Sequence, residues 1–161
     1  RPEARGGLPA RPALEPEALG ARLSRVFLAE RRGDDALLRL AGEWIEAFHG
    51  RPLTGQSLLS LWRTSSRALV GGVLAQSFRE ARRGVTAPAA GRAAATIEVS
   101  VLPLRGPGGG ANRLLGLYAP AATLSLPANE SRLLTARAAM GVGEAARPPL
   151  SLAAVHGRRI A

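Results

Sequence analysis

Few residues in this sequence combine a reactive side chain with a useful spacing. The two histidines, His49 and His156, lie far apart in the chain, whereas a metal site needs several converging ligands. His49 stands beside Gly50-Arg51-Pro52 and His156 beside Gly157-Arg158-Arg159, so each reads as a solvated loop residue. Asp34 and Asp35 are adjacent carboxylates, but they follow Gly33 in a tight turn, where Asp bonds its own backbone. Turn chemistry outweighs a catalytic pair. Gly106-Pro107-Gly108-Gly109-Gly110 has the glycines of a phosphate loop without the Lys, the Ser or Thr, or the helix that must follow. The chain has no cysteine, which removes disulfides, thiolate metal sites and cysteine nucleophiles together. Asn129-Glu130-Ser131 matches a glycosylation sequon, but the chain reads as bacterial and cytoplasmic, and the match is discounted. No set of Ser, His and Asp can be assembled. The expectation is a protein that works by binding and is not an enzyme.

The bulk composition narrows the class. The 161 residues fit one domain with extensions, and a chain of this length buries roughly 70% of its unfolded surface. Apolar residues make up 46% but aromatics only 4%, so Leu, Val and Ile must carry the packing. All 22 basic residues are arginine; with abundant Ala, Gly and Pro, this reads as the usage of a high-GC bacterial genome. The net charge of +10 would favour polyanions. Nucleic-acid binders concentrate such charge on one face, yet here the only doublets are Arg31-Arg32, Arg82-Arg83 and Arg158-Arg159. Nucleic acid is a disfavoured partner. No apolar run approaches the ~20 residues of a membrane span and no signal peptide is visible, so a cytoplasmic location is expected.

The elements follow from periodicity and breakers. Residues 1–13 read as an arm, and Glu15-Pro16-Glu17 as the start of a short helix reaching about Arg22. Ser24 to Glu30 and Ala36 to Ala41 read as an antiparallel hairpin. Gly42 to Trp62 passes through one short helical turn, reverses at Gly50-Arg51-Pro52, and enters a second that buries Leu58, Leu59, Leu61 and Trp62. The longest helix is expected from Ser65 to about Arg83, capped by Thr64 or Ser65 and closed at Gly84. Leu69, Val70, Val73, Leu74, Ser77 and Phe78 fall on its one apolar face. Gly71-Gly72 in its middle implies a close approach to the sheet or a bend. Val85 to Pro88, Ala94 to Leu104 and Arg113 to Ala119 read as three further strands. Asn129 to Met140 has the local propensity of a helix, Gly141 to Pro149 reads as a linker, and Leu150 to Val155 as a last strand. The sum is an α+β arrangement with an antiparallel sheet and its helices on one face. Its parts are an N-terminal arm and helix over 1–22, a central domain over 23–126 and a poorly patterned C-terminal extension over 127–161.

Five stretches in this order carry a family likeness. Leu38-Arg39-Leu40-Ala41-Gly42, then Gly50 through Leu58 (GRPLTGQSL), then Leu61-Trp62 resemble the strand, G-R-x-L-x-G turn and short helix of a PAS core. Glu98 through Leu104 and Asn112 through Pro120 resemble its closing hairpin. Over Leu14 to Leu126 the chain is similar to a family of stand-alone PAS-domain proteins from alphaproteobacteria. That resemblance implies a five-stranded antiparallel sheet with helices on one face, enclosing a pocket. It implies a non-catalytic sensory or regulatory role in signal transduction, exerted through protein contacts or a small ligand. Haem-binding PAS domains take an axial His from the long helix, and Ser65 to Gly84 has none; the flavin photosensors need a Cys. No cofactor is expected.

Trp44, Phe48, Leu58, Trp62, Leu69, Val73 and Ile97 are the residues expected near the pocket, although simple core filling is the commoner role. Arg67 and Arg92 could reach an anionic ligand, against a commoner surface role. The expected partners are a protein of unstated identity and a second copy of the chain, met through the sheet face or Leu14 to Leu23. An apolar or anionic small molecule in the pocket is the alternative.

Overall fold

A computed structural model describes residues 20–81, 83–90, 95–127, 130–142, 154–155 and 158–159. A 3-10 turn over Gly20–Arg25 leads into β1 (Val26–Arg32), and a tight turn at Gly33 returns the chain as β2 (Asp35–Ala41). The hairpin expected at this place forms, running from Arg32↔Asp35 to Phe27↔Ala41 with a bulge between Leu28 and Ala29. The chain continues through α1 (Glu43–His49), a 3-10 turn (Leu59–Leu61) and α2 (Thr64–Glu80). Four strands follow, β3 (Arg83–Ala90), β4 (Ala95–Arg105), β5 (Ala111–Pro120) and β6 (Leu134–Val142). The short strands β7 (Ala154–Val155) and β8 (Arg158–Arg159) pair with each other. The expected arm, the helix start at Glu15, Arg92, His156 and residues 143–153 lie outside the described residues.

The antiparallel α+β expectation holds, with one strand more than expected. The sheet has six strands in the order β2-β1-β5-β4-β3-β6. The sixth corrects the helix expected over Asn129 to Met140. Residues 134–142 instead pair with the whole of β3, from Arg83↔Val142 to Ala90↔Leu134. Without it, β3 would present an unpaired row of backbone donors and acceptors, which is the liability of any sheet edge. Tertiary pairing outweighs the modest helix propensity of an Ala- and Leu-rich stretch.

Strand alternation puts Phe27, Leu114, Tyr118, Ile97, Val99 and Val101 in the buried core. The helices cover that face, with Ile45 and Phe48 from α1 and Val70, Leu74 and Phe78 from α2 in the same cluster. The helix α2 closes at Ala81, which takes a left-handed conformation (φ 50°), and not at Gly84. Gly84 lies in β3, where a Cβ would stand 2.5 Å from Val73 Cγ1 and 2.9 Å from Val101 Cγ2. That glycine lets α2 lie close on the sheet.

Gly71 and Gly72 do no such work. A Cβ at Gly71 would meet only Leu59 Cδ1, at 3.7 Å, and one at Gly72 would meet nothing within 4 Å. Gly72→Ala is therefore expected to raise unfolding stability by about 0.5–1 kcal/mol, through helix propensity and a less flexible unfolded chain. A shift of the urea midpoint to higher concentration at unchanged slope checks this; a lower midpoint would show that the helix needs its glycine. Among the described residues no helix is long and apolar enough to cross a membrane.

Candidate functional site

Two features lie between the helices and the sheet, an apolar cavity and a polar cluster next to it. The cavity is lined by Phe27, Leu58, Trp62, Val70, Val73, Leu74, Thr86, Val99 and Val101, and encloses about 10 Å³. That is room for one water molecule and no more. Its polar wall atom, the Thr86 hydroxyl, already donates to the Val99 carbonyl at 3.2 Å. Among the described residues, side chains take up the rest of the space between these walls.

The polar cluster is built on α1. Ile45, Phe48 and His49 share the buried side of this helix, at the i, i+3, i+4 spacing of one helical face. Glu46 holds the turn that follows by accepting the Leu53 N–H at 2.9 Å. His49 is completely buried, which corrects the solvated loop residue read from its neighbours. Its Nδ1 lies 2.7 Å from the Arg132 carbonyl and its Nε2 lies 3.1 Å from the Tyr118 hydroxyl. A carbonyl can only accept, so Nδ1 carries the proton and donates, and the bare Nε2 accepts from Tyr118. Both ring nitrogens and the phenol are thus satisfied with the imidazole neutral.

Burial drives His49 down to about 4, helped by the nearby Arg51 and Arg132 charges and opposed by its backbone hydrogen bond. Burial also pushes the Tyr118 phenol well above its ordinary range. The pair therefore stays uncharged at neutral pH. Aromatic rings enclose it. Phe48 lies edge-on to His49 at 4.9 Å and stacks on Trp44 at 5.6 Å, while Phe27 meets Tyr118 edge-on at 6.0 Å. Arg132 sits with its guanidinium 5.9 Å over the Phe48 ring and donates to the Phe48 carbonyl at 3.1 Å.

The residues singled out from the sequence divide between these features. Leu58, Trp62 and Val73 line the cavity. Trp44 and Phe48 belong to the aromatic enclosure of His49, and Ile97 is fully buried in the core without lining the cavity. Leu69 is 43% exposed and turns away from the interior. The expectation for Leu69 is corrected, because the buried side of α2 runs through Ser66, Val70, Val73, Leu74, Ser77 and Phe78. Arg67 donates from Nε to the Trp62 carbonyl at 3.1 Å, a bond that pins the helix entry. Asp35 opens β2 just after the turn in which it was expected; its carboxylate accepts the Ala36 N–H at 2.7 Å, the Leu59 N–H at 3.2 Å and the Ser57 hydroxyl.

Sequence reasoning missed Phe27, Tyr118, His49 and Arg132. Alternation in Arg113 to Ala119 could have found Tyr118, because it shares its face with Leu114. Among the described residues no group of three His, Cys, Asp or Glu side chains is placed to hold a metal. A family model described as a PAS domain (PAS_5) matches residues 1–119. No curated protein matches the chain.

Proposed function

The chain belongs to the PAS-domain family, whose members are sensory and signal-transduction modules, and from that premise we propose a non-catalytic module that acts through contacts with a protein partner. The observation that carries this reading is the filled interior, whose cavity of about 10 Å³ is far below the 300–1,000 Å³ typical of a ligand site. A module whose cavity between helices and sheet is this small has its surfaces and its edges to signal with. His49 and Tyr118 are buried and mutually satisfied, with no access for a substrate. A second copy of the chain and a cytoplasmic setting belong to the same proposal. The arginines are dispersed along the chain, so their charge serves solubility and encounter.

Native mass spectrometry of gently purified protein tests the reading. The expected result is a clean apo mass. An adduct of small-molecule mass that disappears on denaturation would replace the protein-contact reading with that of a small-molecule sensor.

A further inference from the structure

The chain beyond the family match holds an unusual contact. After β5 it passes through residues 121–127 without helix or strand, and residues 130–136 then lie against α1 and the start of α2 as the chain enters β6. There, alternate residues are bound. The Arg132 carbonyl accepts from His49 Nδ1 at 2.7 Å, the Leu134 carbonyl accepts the Arg63 N–H at 2.8 Å, and the Ala136 N–H donates to the Ser66 hydroxyl at 3.0 Å. Leu134 also bridges to Trp62 in parallel fashion and is fully buried. Arg132 covers the Phe48 ring and pairs with the Glu130 carboxylate. Main-chain bonds at every second residue, with a pocket for every second side chain, are how a domain recognises an extended peptide.

The groove is shaped for that segment. Gly50 closes α1 in a left-handed conformation (φ 68°), and a Cβ there would stand 2.5 Å from the Glu130 carbonyl oxygen. Beyond its ladder with β3, the apolar hold on this strand is narrow, since only Leu134 is buried among the nine residues of β6. One apolar anchor on an edge strand makes a weak attachment compared with the central strands.

We infer that the groove formed by Phe48, His49, Gly50, Trp62, Arg63 and Ser66 is a peptide-docking site, held in cis by residues 130–136. Its partner is an extended segment of the pattern Arg-x-Leu-x-Ala, which docks by displacing the resident one and so frees β6. Resident and incoming segments make the same contacts, so the exchange is governed by the effective concentration of the tethered segment, of millimolar order. A partner succeeds when it brings further contacts of its own. The inference rests on the protein-contact reading above, but the mass measurement tests that reading and the experiments below test only the groove.

A fluorescent peptide with the sequence of residues 130–138 is titrated into the full chain and followed by anisotropy. Arg132→Ala weakens the resident segment and leaves the groove intact, so it should bind the peptide at least tenfold more tightly than the unmodified chain. Replacing the arginine of the peptide by alanine should cost at least tenfold. Gly50→Ala also releases the resident segment, yet it should reject the peptide, because the same carbonyl contact is blocked in both. In the unmodified chain, amide hydrogens of Leu134–Val142 should exchange at least tenfold faster than those of Val26–Arg32. Equal peptide binding by the unmodified and Arg132→Ala chains would overturn the inference. So would exchange of β6 at the rate of β1, a result that requires no variant to fold.

Discussion

Phe27→Ala is expected to lower the unfolding free energy by about 3–5 kcal/mol, the range for deleting a fully buried aromatic ring. Phe27 is completely buried, meets Tyr118 edge-on at 6.0 Å and lies directly over Gly116. A Cβ on Gly116 would stand only 1.9 Å from the ring tip, so the glycine and the phenylalanine fit as one unit. The ring also forms a wall of the cavity of about 10 Å³. Its removal would join the volume of the ring to that cavity, lined by Leu58, Val70, Val73, Leu74, Val99 and Val101. Such an apolar cavity stays dry and accepts small apolar molecules. Urea unfolding gives the loss, and benzene or toluene should then raise the melting temperature of the variant by mass action without affecting the parent chain. A loss below ~1 kcal/mol, with no response to benzene, would show that the interior collapses around the deletion. The same pair of measurements bears on the function. If one aromatic ring fills the space in which a receptor would hold its ligand, the parent chain has that space closed.

How much of this could be read from the sequence depends on the range of each interaction. Ile97, Val99 and Val101 announce a half-buried strand because strand side chains alternate, and they line up in the core as expected. Leu58 and Trp62 were legible as the end of a short apolar turn. Leu69 is not, because helical periodicity alone favours a leucine over the serine that the buried side of α2 takes. Ser66 takes the buried place there, and its reason is a hydrogen bond to Ala136, 70 residues away. Gly50 and Arg51 beside His49 suggest a solvated loop, whereas its spacing from Ile45 and Phe48 puts it on the buried side of α1. Its partners Tyr118 and Arg132 lie 69 and 83 residues along the chain, and no local pattern encodes them. The sixth strand was missed for the same reason: what makes residues 134–142 a strand is the free edge of β3.

The buried imidazole leads to the second large effect, a loss of stability in mild acid. His49 has an ordinary value of 6.5 when exposed in the unfolded chain and about 4 when folded, with burial as the chief cause. Between these values the unfolded state binds a proton that the native state does not. Stability then changes with pH in proportion to the protons bound by the unfolded minus the native state, so it falls as pH falls. The loss begins near pH 6.5 and is complete near pH 4, where the folded imidazole also protonates. Across that window it amounts to about 3 kcal/mol.

Protonation has a structural meaning here. A proton on Nε2 removes the acceptor of the Tyr118 hydroxyl and sets a cation beside the Arg51 and Arg132 guanidinium groups. His49→Asn isolates the effect, because asparagine does not titrate and the twelve carboxylates of the chain are common to both proteins. At pH 7.5 the variant should be less stable than the parent by about 1–3 kcal/mol, since Tyr118 loses its partner in the core. At pH 4.5 most of that difference should be gone or reversed, as the parent alone bears the cost of the buried histidine. Urea midpoints at the two pH values decide it. Parallel losses in parent and variant would mean that the native state admits the His49 proton at no cost.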